Sequence, residues 1–583
     1  MKRVRPRPML RIGVLAVVAL LGISGIVSCS GQDSSESTAS DDPATTPSRI
    51  NGFRSVGYFP QWGVYGRQYP MKALQDSGAA GNLSHINYAF GNIHHETLTC
   101  FEANKAQGSG PDGSDGASDA WADYGMAYDA AGSIAGTGDT AEQPLAGSFN
   151  QLRQLKAANP GLRAVISLGG WTWSKNFSRA AATDESRKAL VASCIDLYIK
   201  GNLPMIEGRG GAGAAAGLFD GIDIDWEWPG TDKGLEGNGV DAENDAENFR
   251  LLLQEFRQQL DAHGATTGAS YSLSAFLPAN PEVIEAGGWN DPELFTYLDF
   301  GNIQGYDLWG TWEPGLTGHQ GNLFDDPEDP RPDGERFSVD RTVSTYLDAG
   351  IDPAQLGLGL AAFGRGWVGA TSSEPWGEAT GPAPGGEEPG LEDYDELREV
   401  GEEFTDATLG AAWRFDGDQW WSYDNPETVR LKGDYILEKG LGGGMWWDLA
   451  GNRDGSLFAV LSDQLRDASE GPARDRVMPE TTAPPSSSPA TGSGTTAPGA
   501  AEPGSADPDA VAPGTTPGAA PAAEPSLSAQ EAADAEPVAW EEDAVYTEGR
   551  RVIFEGEVYR TQWWTRGDVP GAEQWGPWLP VDG

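Results

Sequence analysis

Four carboxylates fall within eight residues of the stretch DGIDIDWEWP, Asp220 to Pro229: Asp220, Asp223, Asp225 and Glu227. Read as a β-strand, side chains alternate between two faces. Asp223, Asp225 and Glu227 then share one face, and Ile222, Ile224, Trp226 and Trp228 share the other. β-Branched and aromatic residues confined to one side favour strand over helix. The apolar face needs burial, and the acidic face must meet solvent or a ligand. Like charges this close cannot all ionise at low cost, so at least one carboxyl holds a proton near neutral pH. A carboxyl that keeps its proton is what a general acid requires. Spacing alone leaves two other readings open, a divalent-metal site and a solvated acidic strand. Asp220 has the opposite parity and reads as structural, holding the start of the strand.

The elements that must position this strand repeat along the chain. Strands are predicted at Val56–Phe59, His85–Phe90, Arg163–Gly170, Gly221–Glu227, Tyr271–Leu277, Phe300–Tyr306, Leu356–Phe363 and Gly442–Leu449. Helical stretches such as ESRKALVASCIDLYIKG and DAENFRLLLQEFRQQLDAHG fall between most of them. Eight strands alternating with helices predict an α/β fold, a (β/α)8 barrel over residues 51–467. Catalytic groups of such barrels sit at the carboxyl ends of strands, where Glu227 lies. Residues 364–425, after the seventh strand, exceed any ordinary strand-to-helix loop and predict an inserted subdomain on that face.

The chain has 583 residues, too many for one ordinary domain. Residues 468–537 are rich in Pro, Thr, Ser, Ala and Gly, which cannot form a core and read as an extended linker. Residues 538–583 recover aromatics without any Cys, which predicts a small all-β module of short strands around Trp and Tyr. The formal net charge of −48 argues against a nucleic-acid partner. The 21 Trp lean towards saccharides, whose rings stack on flat aromatic faces, although Trp also fills cores.

The N-terminus, MKRVRPRPMLR followed by IGVLAVVALLGISGIVSCS, has the basic and apolar regions of an export signal over residues 1–28. It ends at Ile26-Val27-Ser28-Cys29, which resembles a bacterial lipobox. Lipidation of Cys29 would anchor an extracellular protein to the membrane, with residues 29–50 as a polar tether; free secretion and an uncleaved anchor are the alternatives. Cys100 and Cys194 remain, either as a disulfide or as two buried thiols.

DGIDIDWEWP resembles the D-x-x-D-x-D-x-E signature of family 18 glycoside hydrolases, the chitinases. SLGGW (Ser167–Trp171), QGYD (Gln304–Asp307), AFGRGW (Ala362–Trp367) and GGGMWWDL (Gly442–Leu449) resemble further motifs of that family, in its order and on the expected strands. The insertion is similar to the α+β subdomain of the family's deep-groove members. The tail resembles chitin-binding modules of carbohydrate-binding families five and twelve, through Trp540, Tyr559, Trp563 and Trp564 together with Tyr546, Gly549, Gly556 and Trp575.

The resemblance implies hydrolysis of β-1,4 links between N-acetylglucosamine units with retention, the substrate's acetamido oxygen acting as nucleophile. It places the general acid at Glu227 and has Asp225 orient the acetamido group. Asp223 lies behind Asp225 and shares a proton with it, so that Asp225 faces Asp223 at rest and Glu227 in turnover. Tyr306 donates to the acetamido oxygen, and Asp307 contacts the sugar. Trp447 is the floor beneath the distorted sugar, with Tyr58 and Phe90 as ring-packing neighbours. Trp171 and Trp312 flank the product side, and Arg365 is a candidate sugar contact. Gln304 stands where the family has Met and is a candidate partner of Asp225 or the substrate. No cofactor or metal is implied; the partners are chitin and its oligomers, and a monomer is expected. Two alternatives remain, an endo-β-N-acetylglucosaminidase and a non-catalytic chitin-binding surface protein. The tail and insertion weigh against the first, and the presence of Glu227 against the second.

Overall fold

Eight strands buried on both faces can be satisfied only by an outer layer and a filled interior, and a closed parallel barrel supplies both. In the computed structural model these are β1 (Arg54–Pro60), β2 (His85–Ile93), β3 (Arg163–Gly169), β4 (Gly221–Asp225), β5 (Ser272–Leu277), β6 (Phe300–Ile303), β7 (Leu356–Ala361) and β8 (Gly443–Trp447). Each pairs in parallel with its sequence neighbours, and β8 pairs with β1 to close the ring. The structure describes residues 49–103, 117–206 and 208–472, and in the C-terminal part 537–540, 545–546, 550–554, 556–561, 565–566, 570 and 578–580. Cys29, Trp563 and Trp564 lie outside the described residues.

The connecting helices include α1 (Gly147–Ala158), α2 (Asp184–Cys194), α3 (Asp245–Thr267), α4 (Val339–Asp348), α5 (Pro426–Lys439) and α6 (Ser456–Asp467). Their ends are set by local chemistry. Thr183 and Ser186 form a capping box at α2, and Asn425 caps α5 ahead of a proline in its first turn. Gly268 and Gly440, at φ 74° and 68°, close α3 and α5 in the left-handed region that glycine enters without strain.

Several strands end earlier than their residue pattern predicts. β4 stops at Asp225, so Glu227 stands in the loop beyond it. β6 stops at Ile303, and the chain turns at Asp307, whose φ is 53°. The function of these residues belongs to the barrel mouth rather than to its staves. Asp220 closes the other end of β4, where its carboxylate accepts the Ala164 N–H at 2.8 Å and the Lys156 ammonium at 2.6 Å.

Between β7 and β8 the chain builds a six-stranded sheet. The run Gly381–Pro382, Phe363–Val368, Trp420–Tyr423, Ala411–Phe415, Glu402–Asp406 is antiparallel, and Leu391–Asp393 pairs with Phe363–Val368. A short helix, Tyr394–Leu397, completes an α+β insertion with a tryptophan-rich core of its own around Trp367, Trp413 and Trp420. Cys100 and Cys194 are bonded, S–S 2.02 Å, which resolves the choice between disulfide and thiols. The bridge ties a short strand, Cys100–Phe101, paired antiparallel with the end of β2, to the end of α2.

The chain divides into two units, residues 1–484 and 485–583. The second contains a four-stranded sheet, Val538–Ala539, Arg551–Phe554, Glu557–Thr561 and Trp578–Pro580. Val552 is buried in it, with Trp540 and Tyr559 packed around that side chain.

Candidate active site

Register explains why so much negative charge is tolerated on β4. Asp223 lies opposite Ser167 on β3 and Ser274 on β5. Both hydroxyls donate to its carboxylate, at 2.8 and 2.5 Å, and the Tyr58 hydroxyl on β1 donates at 2.8 Å. Burial raises the Asp223 carboxyl above the usual aspartate range, and these hydroxyls counteract it by stabilising the anion. Asp223 is therefore a fixed acceptor, surrounded and fully buried.

Asp225 is also buried, but its carboxyl hydrogen-bonds Glu227, and its Oδ1 has no hydrogen-bond partner. Burial first, then the charges of Glu227 and Asp223, push Asp225 well above the aspartate range. Glu227 is raised too, by burial and then by the negative charge of Asp307, with the Asp225 hydrogen bond acting in the other direction. The dyad thus retains a proton near neutral pH, which is the general acid's requirement. The backbone of Glu227 is held as firmly as its strand. Its N–H donates to Ser174 Oγ at 2.8 Å, and its carbonyl accepts from Asn238 Nδ2 at 2.9 Å.

One expectation is corrected here. Asp225 does not face Asp223; it pairs with Glu227. The reason is that three hydroxyls already occupy the acceptor positions of Asp223.

Trp447, half-buried at the end of β8, stacks on Phe90 with centroids 5.8 Å apart and tilts against Tyr58 at 5.4 Å. Tyr58 and Phe90 are only 1% and 3% exposed. They support Trp447 from beneath and do not line a groove, and the polar end of Tyr58 serves Asp223. Trp171 and Trp312 are 48% and 55% exposed, each presenting an indole to solvent from loops at the barrel mouth. Tyr306 is buried against Phe276 and Phe363, and its hydroxyl meets only the weak acceptor Met445 Sδ, at 4.0 Å. Arg365 grips the Asp307 carboxylate with Nε and Nη2, at 2.8 and 3.1 Å, and Glu388 with Nη1 at 2.6 Å. Its donors are largely engaged by protein, so it orients Asp307. Gln304 Oε1 accepts from the Ala279 N–H at 3.3 Å rather than pairing with Asp225, which leaves the substrate as the other candidate partner.

Residue pattern alone missed Ser274, Ser174, Trp62 and Trp173. The serines act through register, which a single strand does not reveal. Trp62 and Trp173 pack on one another and on Phe90, at 5.7, 6.1 and 5.7 Å, and extend the aromatic floor. Their signal was the aromatic density after β1 and within WTW, next to SLGGW. Among the described residues no cluster of three or more His, Cys, Asp or Glu is arranged to hold a metal ion.

A proton-bearing carboxyl at the mouth of a (β/α)8 barrel, over a tryptophan floor, defines the class: a glycoside hydrolase. The model of the glycosyl hydrolases family 18 matches residues 54–452, and that of carbohydrate-binding module family 5/12 matches residues 539–579. The chain belongs to glycosyl hydrolases family 18. It is 36% identical over 401 residues to chitinase C of Streptomyces lividans, covering 68% of this chain and 57% of the relative. It is 35% identical over 416 residues to chitinase 63 of Streptomyces plicatus, covering 70% and 60%. The chain thus spans 57% and 60% of the length of these two relatives. The catalytic domain of psychrophilic chitinase B from Arthrobacter TAD20 superposes with a TM-score of 0.72 at 65% identity, over 74% of this chain and 100% of that one.

Proposed function

We propose that the barrel hydrolyses β-1,4 links between N-acetylglucosamine units of chitin, with retention and substrate assistance. The observation that carries this reading is the Asp225–Glu227 dyad beside the Trp447 floor, with the Tyr306 hydroxyl left without a strong protein partner. Glu227 protonates the glycosidic oxygen. The acetamido oxygen of the sugar on Trp447 closes onto the anomeric carbon, and its intramolecular position supplies the effective molarity. Asp225 Oδ1, buried and without a partner, receives the acetamido N–H, while Tyr306 donates to the acetamido oxygen. The charge of Asp223 behind the pair favours retention of their proton. Asp307, Trp171 and Trp312 bind flanking sugars, and Trp540, Tyr559, Trp563 and Trp564 belong to the module that binds chitin. The printed names of the relatives and the match to the carbohydrate-binding module favour chitin over glycoprotein glycans. The groups assigned to the reaction all come from one chain, so a monomer suffices for it.

Glu227→Gln tests the assignment. Loss of a positioned proton donor costs roughly 10²–10⁴ in rate, so hydrolysis of soluble oligomers falls by at least that much while sugar binding persists. Activity within tenfold of the parent protein, or an α-anomer as first product by NMR, excludes the mechanism.

We also propose that the protein works outside the cytoplasm, anchored through a lipid on Cys29. The basic and apolar N-terminus and the Cys100–Cys194 disulfide support export. Cys29→Ala then moves the protein from the cell envelope to the medium with its specific activity unchanged. A parent protein found only in the medium, beginning after Cys29, excludes the anchor.

A further inference from the structure

Arg67 lies in the loop after β1, outside every motif that points to the reaction. Its guanidinium is only 10% exposed and meets three carboxylates. Nη1 donates to Asp448 Oδ2 at 2.7 Å and lies 3.3 Å from Glu387 Oε1, and Nη2 donates to Asp393 Oδ1 at 2.6 Å. The three acids come from separate parts of the barrel mouth. Asp448 follows Trp447, and its other oxygen takes the N–H groups of Ala450 and Gly451 at 2.8 and 3.2 Å. Asp393 and Glu387 belong to the insertion, and the Trp62 side chain lies close enough to Glu387 to favour its carboxylate form. Trp62 in turn packs 6.4 Å from Trp447 and 6.1 Å from Phe90.

One buried cation therefore joins both ends of the aromatic floor to the wall above it. Through Asp448 it holds the backbone next to Trp447; through Glu387 it reaches the neighbourhood of Trp62. A planar fork holds its acceptors at fixed, separated positions, whereas an ammonium is a compact point charge on a flexible stem and fixes no such spacing. Without it, three partly buried carboxylates would face one another unpaired and would separate, carrying the floor and the insertion apart.

We propose that Arg67 is a positioning residue for sugar binding, setting Trp447 and Trp62 relative to the insertion. This rests on the reading of Trp447 as the sugar floor. The proton-transfer groups are not in contact with Arg67, so the effect falls on binding of the sugar chain.

The test is steady-state kinetics of the full chain on soluble chitohexaose, well below the melting temperature. Arg67→Ala raises KM about tenfold with kcat within about threefold, and Arg67→Lys, which keeps the charge and loses the fork, falls between. Glu387→Ala raises KM as well, and the double variant Arg67→Ala/Glu387→Ala is no worse than Arg67→Ala, because the two act through one chain of contacts. A KM for Arg67→Ala within about twofold of the parent protein, or multiplying effects in the double variant, overturns the proposal. If Arg67→Ala does not fold, the same cycle with Arg67→Lys decides it. Trp447→Ala separates the two readings. If it leaves kinetics unchanged, the floor assignment fails and this inference with it; if it impairs the reaction while Arg67 variants do not, only the role of Arg67 fails.

Discussion

At the scale of single residues, the proposed chemistry rests on where one proton stays. Glu227 and Asp225 are close enough to share it, and burial makes a second negative charge expensive. Asp307 contributes from outside the pair. It is held bidentate by Arg365, and its charge opposes ionisation of Glu227. Removing that charge favours the anionic form of Glu227, so Asp307→Asn lowers the pH at which the acid is lost. The alkaline limb of kcat/KM moves to lower pH, measured on a soluble oligomer across the full profile. A limb that stays in place or moves to higher pH refutes this account of Asp307.

At the scale of elements, register does what no single side chain can. The pairing of β3, β4 and β5 brings Ser167 and Ser274 to the two sides of Asp223. The early ends of β4 and β6 release Glu227, Tyr306 and Asp307 into the mouth while their strands stay locked. The disulfide acts on another pair of elements, the short strand Cys100–Phe101 beside β2 and helix α2. Its half-cystines are 94 residues apart, so the bond removes a large loop-closure entropy from the unfolded chain. The double variant Cys100→Ala/Cys194→Ala therefore loses about 2–5 kcal/mol of unfolding free energy, read by denaturant titration. The same loss should follow reduction of the parent protein. Unchanged stability would mean that the bond constrains nothing in the unfolded state.

At the scale of the whole molecule, residues 468–537 have the composition of a flexible tether, and on the proposed reading the module after them acts on concentration and not on chemistry. Holding the barrel at an insoluble surface raises its effective concentration there. Deleting residues 538–583 should reduce activity on insoluble chitin on the order of tenfold and leave soluble oligomers nearly unaffected. Equal losses on both substrates contradict that division of labour. The acids are spread along the chain rather than gathered in one tail.

The sequence by itself determined the period-two faces of the barrel strands, their alternation with helices, the acidic strand and the place of the insertion. These are local properties: DGIDIDWEWP has a buried and an acidic side whatever it packs against, and Thr183, Asn425 and Gly440 mark helix ends through their own backbone chemistry. Tertiary structure alone decided which groups meet. Tyr58 is turned down onto Asp223 because β1 closes the ring, and Asp225 turns to Glu227 because hydroxyls from three other strands have filled Asp223. Cys100 finds Cys194, and Arg67 finds acids more than 300 residues away, through contacts whose partners leave no local periodicity. Side-chain direction is encoded within a few residues; partnership depends on register and closure across the whole barrel, and only the folded chain specifies it.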